Sequence, residues 1–140
     1  MTDIGQMNPP GTLHLSGTQD EVIERVTEAL KSEGFGVLTR IDMDRAFAEK
    51  LGVEFRPYVI LGACNPGLAH RALTGRPDIG LLLPCNVVVD QEAEGRSTVR
   101  FIDPMEMLDA PRYEGDSDLA DVAREAQDRL GRVAEALSGK

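Results

Sequence analysis

Apolar and polar residues first alternate at Thr12-Leu13-His14-Leu15-Ser16. This period of two predicts a short strand with both leucines on one face and His14 on the other. The period then changes. Val22, Ile23, Val26, Ala29 and Leu30 recur at helical spacing, leaving Glu24, Arg25, Glu28 and Lys31 for solvent. Ahead of them Thr18-Gln19-Asp20-Glu21 has the form of a capping box, in which the Thr18 hydroxyl and the Glu21 carboxylate satisfy backbone donors at the helix start. Gly34 is the expected terminator. Gly36 to Ile41 reads as a second strand, and Asp42 is placed to cap a second helix carrying Met43, Ala46, Phe47 and Leu51, with Gly52 at its end.

Tyr58-Val59-Ile60-Leu61-Gly62-Ala63 is an almost unbroken apolar run, as expected of a central strand. It leads into Cys64-Asn65-Pro66, where Asn65 suits a helix N-cap and Pro66 the first helical position. The short helix that follows carries Leu68, Ala69, Ala72 and Leu73 and stops at Thr74-Gly75. This puts His70 and Arg71 near a helix C-terminus, where positive charge is favourable. The run from Ile79 to Val89 reads as a further strand, with Pro84 implying an edge or a bulge. A hairpin turn over Glu92 to Arg96 joins it to a last strand, Ser97 to Ile102. Asp103-Pro104 opens a short turn or helix through Leu108, and Ala110 to Gly115 is a loop. The closing helix sets Leu119, Val122, Ala126, Leu130, Val133 and Leu137 on one face, with its acids early and Arg129 and Arg132 late, matching the helix dipole.

Strands and helices thus alternate until a hairpin, which requires an antiparallel pair and disfavours a doubly wound parallel sheet. The expected fold class is α+β, a two-layer α/β sandwich with a mainly antiparallel sheet and helices on one face. The expected organisation is a flexible leader over residues 1–11 and a single domain over 12–140, ending in a helix over 116–138. There is no internal repeat, low-complexity segment or interdomain linker.

Composition narrows the function classes. In 140 residues, 15 Lys+Arg stand against 24 Asp+Glu, a formal charge of −9, with no Lys/Arg cluster, so binding to nucleic acid or to an anionic membrane surface is not expected. Gly80, Pro84 and Asn86 interrupt the longest apolar stretch, which is too broken to span a bilayer. Two cysteines, neither in a CxxC pair, do not make a disulfide scaffold, and the first residues carry no basic-then-apolar signal pattern. A cytoplasmic chain with reduced thiols is the expectation. Charge is nevertheless uneven: from Arg56 to Arg76 there is no acid, while Arg56, His70, Arg71 and Arg76 are basic or imidazole residues, so a small anionic ligand is plausible there despite the overall balance.

The residues able to carry chemistry gather around the same stretch. Cys64 lies where an apolar strand meets a helix start, whose unpaired backbone N–H groups favour an anion, either a thiolate of lowered pKa or a bound carboxylate or phosphate. The competing reading is a small buried hydrophobe at a tight corner. Cys85 repeats the Cys-Asn dipeptide in Leu83-Pro84-Cys85-Asn86, and if the two strands are neighbours the thiols share a pocket as inert core groups, a redox pair or a soft-metal site. A metal centre would recruit His14, His70, Asp103 or Glu106, but the spacing lacks the tight ligand pattern of known sites, and no metal is assigned. A Cys–His enzyme would use Cys64 as nucleophile with His14 or His70 as base. Arg56 beside Pro57 and Tyr58 is a candidate anion contact, against the alternative of a surface arginine paired with an acid.

The chain from Gly34 to Asp103 resembles the bacterial and archaeal family called domain of unknown function 302. The likeness is carried by Gly34-Phe35-Gly36-Val37-Leu38-Thr39, Phe55-Arg56-Pro57-Tyr58, Leu61-Gly62-Ala63-Cys64-Asn65-Pro66, Ala69-His70-Arg71-Ala72-Leu73 and the run from Ile79 to Val89. The resemblance implies a compact two-layer α/β domain with an antiparallel sheet, a core over residues 12–109, frequent dimerisation and no established activity. Gly67 after Pro66 departs from the bulkier residue expected there. The resemblance also groups Cys64, Cys85, His70 and Arg56 within the family's motifs. The expected ligand-binding residues are accordingly Cys64, Asn65, Cys85, Asn86, His70 and Arg56. The expected function is small-ligand binding or thiol-based sensing in a homodimer, with a Cys-nucleophile enzyme and a purely structural dimerisation or partner-binding module as the alternatives. No cofactor is assigned.

Overall fold

The computed structural model describes residues 11–139, so the leader expected over residues 1–11 lies, but for Gly11, outside the described residues. Five strands form one sheet: β1 (Gly11–Ser16), β2 (Gly36–Asp42), β3 (Tyr58–Cys64), β4 (Cys85–Ala93) and β5 (Arg96–Phe101). Their spatial order is β1-β5-β4-β3-β2, and every neighbouring pair is antiparallel. Four α-helices connect them: α1 (Gln19–Ser32), α2 (Met43–Leu51), α3 (Pro66–Gly75) and α4 (Ser117–Ser138). The fold is α+β, as expected.

Alternation within the strands builds the core. Leu13 and Leu15 of β1, Val59, Leu61 and Ala63 of β3, Val87 and Val89 of β4, and Val99 and Phe101 of β5 point to one face. There they meet Val22, Val26 and Leu30 of α1 and Leu130, Val133 and Leu137 of α4. A smaller cluster joins Leu68 and Ala72 of α3 to Ile79, Tyr113, Leu119, Val122 and Ala126. The opposite face carries His14, Thr98, Arg100, Val88, Asp90, Ile60 and Tyr58. Among the described residues no helix is long and apolar enough to cross a membrane.

The expected caps form where the geometry is local. Glu21 N–H donates to Thr18 Oγ1 (3.1 Å) and Thr18 N–H to Glu21 Oε1 (2.9 Å), completing the capping box. Asn65 accepts from Leu68 N–H (3.2 Å) at the start of α3, and Asp116, read from the sequence only as an early acid, also caps, accepting from Leu119 N–H (3.0 Å) at the start of α4. Asp42 makes no capping bond. Its carboxylate is taken by the Arg40 guanidinium (2.9 and 3.1 Å), a stronger charged donor two residues away on the same strand.

Two further expectations are corrected. Pro77–Leu82 is a 3₁₀ helix, so the apolar run from Ile79 is helical at first and becomes strand only at Cys85. Pro84 marks neither an edge nor a bulge: it immediately precedes β4, a central strand whose pairing begins after it, at Cys85 opposite Ala63. The sheet's irregularities lie instead at Val37/Thr39 and Asp90/Ala93. α3 ends at Gly75 as expected, but His70 and Arg71 lie in its middle and not in its last turn.

Gly62 shows how tightly this part of the sheet is assembled. A Cβ there would overlap Thr39 Oγ1 and come within 2.8 Å of Pro84 Cγ, so the strand accepts only hydrogen at that position. Gly62→Ala is therefore expected to lower stability by about 1–3 kcal/mol in urea unfolding, the usual cost of overpacking. Part of the loss should be restored in the Gly62→Ala/Thr39→Ala double variant, which removes the overlapping hydroxyl.

Candidate functional site

The register of β3 on β4 separates the candidate residues into two groups. At one end Ala63 lies opposite Cys85, so Cys64, one residue on, has its Cα about 6 Å from that of Cys85 by ordinary strand spacings. At the other end Tyr58 lies opposite Asp90. Six residue steps, about 20 Å, separate Tyr58 from Cys64, and Arg56 lies beyond Tyr58.

Cys64 and Cys85 line one cavity of about 70 Å³ between the end of β3, α3 and α4. Its wall includes Phe35, Leu68, Ala72, Pro84, Met107 and Ala126 and is almost wholly apolar. Asn65 is its one amide, and both ends of that amide are engaged. Oδ1 caps Leu68 N–H, and Nδ2 donates to the Glu33 carbonyl (3.4 Å), which also accepts from Arg129 Nη1 (3.1 Å). That carbonyl follows α1, so one acceptor ties α1 to α3 and α4.

The thiols are free and uncharged. Burial pushes the Cys64 thiol above its usual pKa. Burial, then the neighbouring Cys64, pushes Cys85 up to about 11, so it stays a neutral thiol at pH 7. The sequence left two readings of Cys64 open, a thiolate of lowered pKa at a helix start and a small buried hydrophobe. The raised pKa goes with the second, because Asn65 already caps that start and apolar surroundings oppose a charge.

The histidines stand apart from Cys64. His14 is on β1, three strand spacings or about 14 Å across the sheet from β3. His70 is exposed on α3 and does not line the cavity. Asn86 is exposed on the face opposite Val87 and also lies outside it.

Arg56 belongs to a separate polar array on the open sheet face. Its guanidinium donates to Asp90 through Nε (2.6 Å) and Nη2 (3.1 Å) and stacks over the Phe55 ring at 4.8 Å. Arg100 Nη1 donates to Asp90 Oδ2 (3.0 Å) and Nη2 to Glu92 Oε2 (3.1 Å), and the Thr98 hydroxyl donates to Glu92 Oε1 (2.7 Å). The Thr98 oxygen, having given its proton to Glu92, accepts from His14 Nδ1 (3.1 Å), which makes Nδ1 the protonated nitrogen and leaves Nε2 as an acceptor. Asp90 is 1% exposed. Burial works to raise its pKa, but the Arg56 and Arg100 hydrogen bonds and charges outweigh it and hold the carboxyl below the usual value.

The same pairing removes the positive excess read from residues 56–76. Arg56 meets Asp90, Arg71 meets Glu125, and Arg76 meets Asp78 and Asp116. Asp90, Glu92, Thr98 and Arg100 were not anticipated as a group, although Asp90 directly after Val87-Val88-Val89 is a visible anomaly in a central strand. Met107 was missed as a cavity residue, since nothing local marks it.

The family model described as Domain of unknown function DUF302 matches residues 12–137. The chain belongs to this family. A crystal structure of an uncharacterized conserved protein DUF302 from Bacillus stearothermophilus is similar to it, with 33% identity, a TM-score of 0.74, and coverage of 91% of this chain and 94% of that one. No curated protein matches. The matched region takes in the sheet except Gly11, helices α1 to α3 and all of α4 but its last residue, well beyond the Gly34–Asp103 stretch that carries the resemblance in sequence.

Two measurements check the electrostatics of this DUF302 domain. Because the folded Asp90 carboxyl has the lower pKa, the unfolded chain holds the proton more tightly and acid favours unfolding. The Asp90 contribution is present above about pH 4 and lost as pH falls through the folded value. Asp90→Asn should be less stable at pH 7 and show a flatter stability profile between about pH 5 and 2 than the parent. Alkylation of the native protein with iodoacetamide at pH 7 should be slow at Cys64 and slower still at Cys85, quickening as pH rises, with both reacting at once in denaturant.

Proposed function

We propose that this DUF302 domain binds a small, soft or apolar ligand in the cavity beneath α3, with Cys64 and Cys85 in its wall. The observation that carries this reading is the 70 Å³ space itself, which brings both of the chain's cysteines to one apolar surface between β3, α3 and α4. Small-molecule sites are concave and mainly apolar, with few polar groups. The ligand favoured is uncharged or soft, not a free carboxylate or phosphate: the start of α3 is capped by Asn65, and the arginines of this region are paired with acids. Cys64, Asn65, Pro84 and Met107 are among its half-buried lining residues. Thiol sensing follows as a consequence of occupancy: a ligand in this space would shield both sulfurs.

The reading is tested with xenon, an apolar probe small enough for such a space. Under xenon pressure, methyl resonances of Leu68, Ala72 and Ala126 should shift together in a saturable way, and an Ala126→Leu variant that keeps its fold should lose the response. Shifts spread evenly over the protein, or none, would remove the cavity as a ligand site.

A further inference from the structure

We propose that the cavity is a binding site for one soft monovalent metal ion of the copper(I) class, held by the sulfur atoms of Cys64, Cys85 and Met107. The inference rests on the reading that this cavity takes a ligand, and it names the chemistry of that ligand.

The donor set carries the argument. Three sulfur-bearing side chains from separate parts of the chain line one space: Cys64 at the end of β3, Cys85 at the start of β4, and Met107 in the 3₁₀ turn Glu106–Leu108. The rest of the wall is apolar apart from Asn65, whose amide is engaged at both ends. Thiolate and thioether ligands in a space without carboxylate or imidazole select copper(I) over hard cations such as magnesium or calcium, which require oxygen. Zinc, which favours four tetrahedral ligands, is poorly matched to two cysteines and a methionine. Among the described residues no three His, Cys, Asp or Glu side chains converge, so this sulfur trio is recognisable only when methionine is counted as a ligand.

The start of α3 after Cys64 is capped by Asn65, so the positive charge that offsets the two thiolates is the ion's own. The thiols are protonated in the apo protein, so binding is coupled to proton release: Cu(I) plus two thiols gives a bis-thiolate complex, with the Met107 thioether as a neutral third ligand and two protons leaving. No electron is transferred. Sequence spacing conceals the site, because residues 64, 85 and 107 lie 21 and 22 positions apart, unlike the short intervals that announce metal motifs.

The test is an anaerobic titration of the reduced full chain with Cu(I) against a colorimetric Cu(I) chelator, followed by X-ray absorption at the copper edge. The expected result is one ion per chain, a shell of sulfur neighbours only, and tighter binding as pH rises. Cys64→Ser should lower affinity by more than the 10–100-fold that loss of an outer-shell partner costs. Met107→Leu, a volume-conserving change that should fold normally, should retain binding with weaker affinity and one sulfur fewer. Failure of the parent to compete with the chelator, nitrogen or oxygen neighbours, or unchanged affinity in Cys64→Ser would overturn the proposal. Xenon separates the two readings: saturable methyl shifts without copper binding would leave the cavity as an apolar site and remove the metal, whereas absence of both would remove both.

Discussion

The pairing of β3 with β4, in register from Tyr58 opposite Asp90 to Ala63 opposite Cys85, is the constraint on which the rest of the molecule depends. These are two of the three inner strands of the sheet, and their core-facing residues Val59, Leu61, Ala63, Val87 and Val89 lie against α1 and α4. A slip of one residue would exchange the buried and open faces along both strands. Gly62 resists such a slip, because Thr39 and Pro84 close over the only position in the strand without a side chain. The two ends of this one pairing set up the two chemically distinct regions, Asp90 with its arginines at one and the cysteine cavity at the other.

Charge is organised by the same register. A chain of net charge −9 has acids enough to meet its arginines, and tertiary contacts do the matching: Arg56 and Arg100 flank a carboxylate that is 1% exposed. A buried carboxylate of this kind is strongly destabilising if either its charge or its partners are removed alone, so Asp90 and its arginines act as one unit. Its hydrogen bonds extend through Glu92 and Thr98 to His14 and fix which imidazole nitrogen carries the proton. The cavity has the opposite character. Its polar group is satisfied from within the fold, and its thiols are kept neutral by burial. The surroundings do not stabilise a free thiolate.

The similarity to the DUF302 crystal structure covers nearly the whole of both chains. Within the fold the node at Glu33 links the cysteine cavity to the core. The Glu33 carbonyl receives Asn65 and Arg129, and the Glu33 carboxylate receives Arg132 Nε at 3.0 Å. The start of α3, and with it one wall of the cavity, is thereby held against α1 and α4. A long closing helix is thus part of the site's support as well as of the core.

The sequence by itself determined the element order, the α+β class, the caps at Thr18 and Asn65, and the faces of α1 and α4. Each depends on interactions within about four residues or on a local period of two or 3.6, which a linear chain displays directly. It also placed Cys64 at a strand end, and the repeated Cys-Asn dipeptide raised a shared pocket as one reading, while the position of Cys85 at the start of β4 came only with the structure. Tertiary structure decided that Arg56 faces Asp90 and not Cys64, that Asp42 bonds Arg40 and caps nothing, that Met107 joins the two thiols, and that the Cys64 pKa rises. Strand register, burial and the pairing of charges depend on residues far apart in the chain, and their effects appear only once the chain has excluded water and brought those residues together.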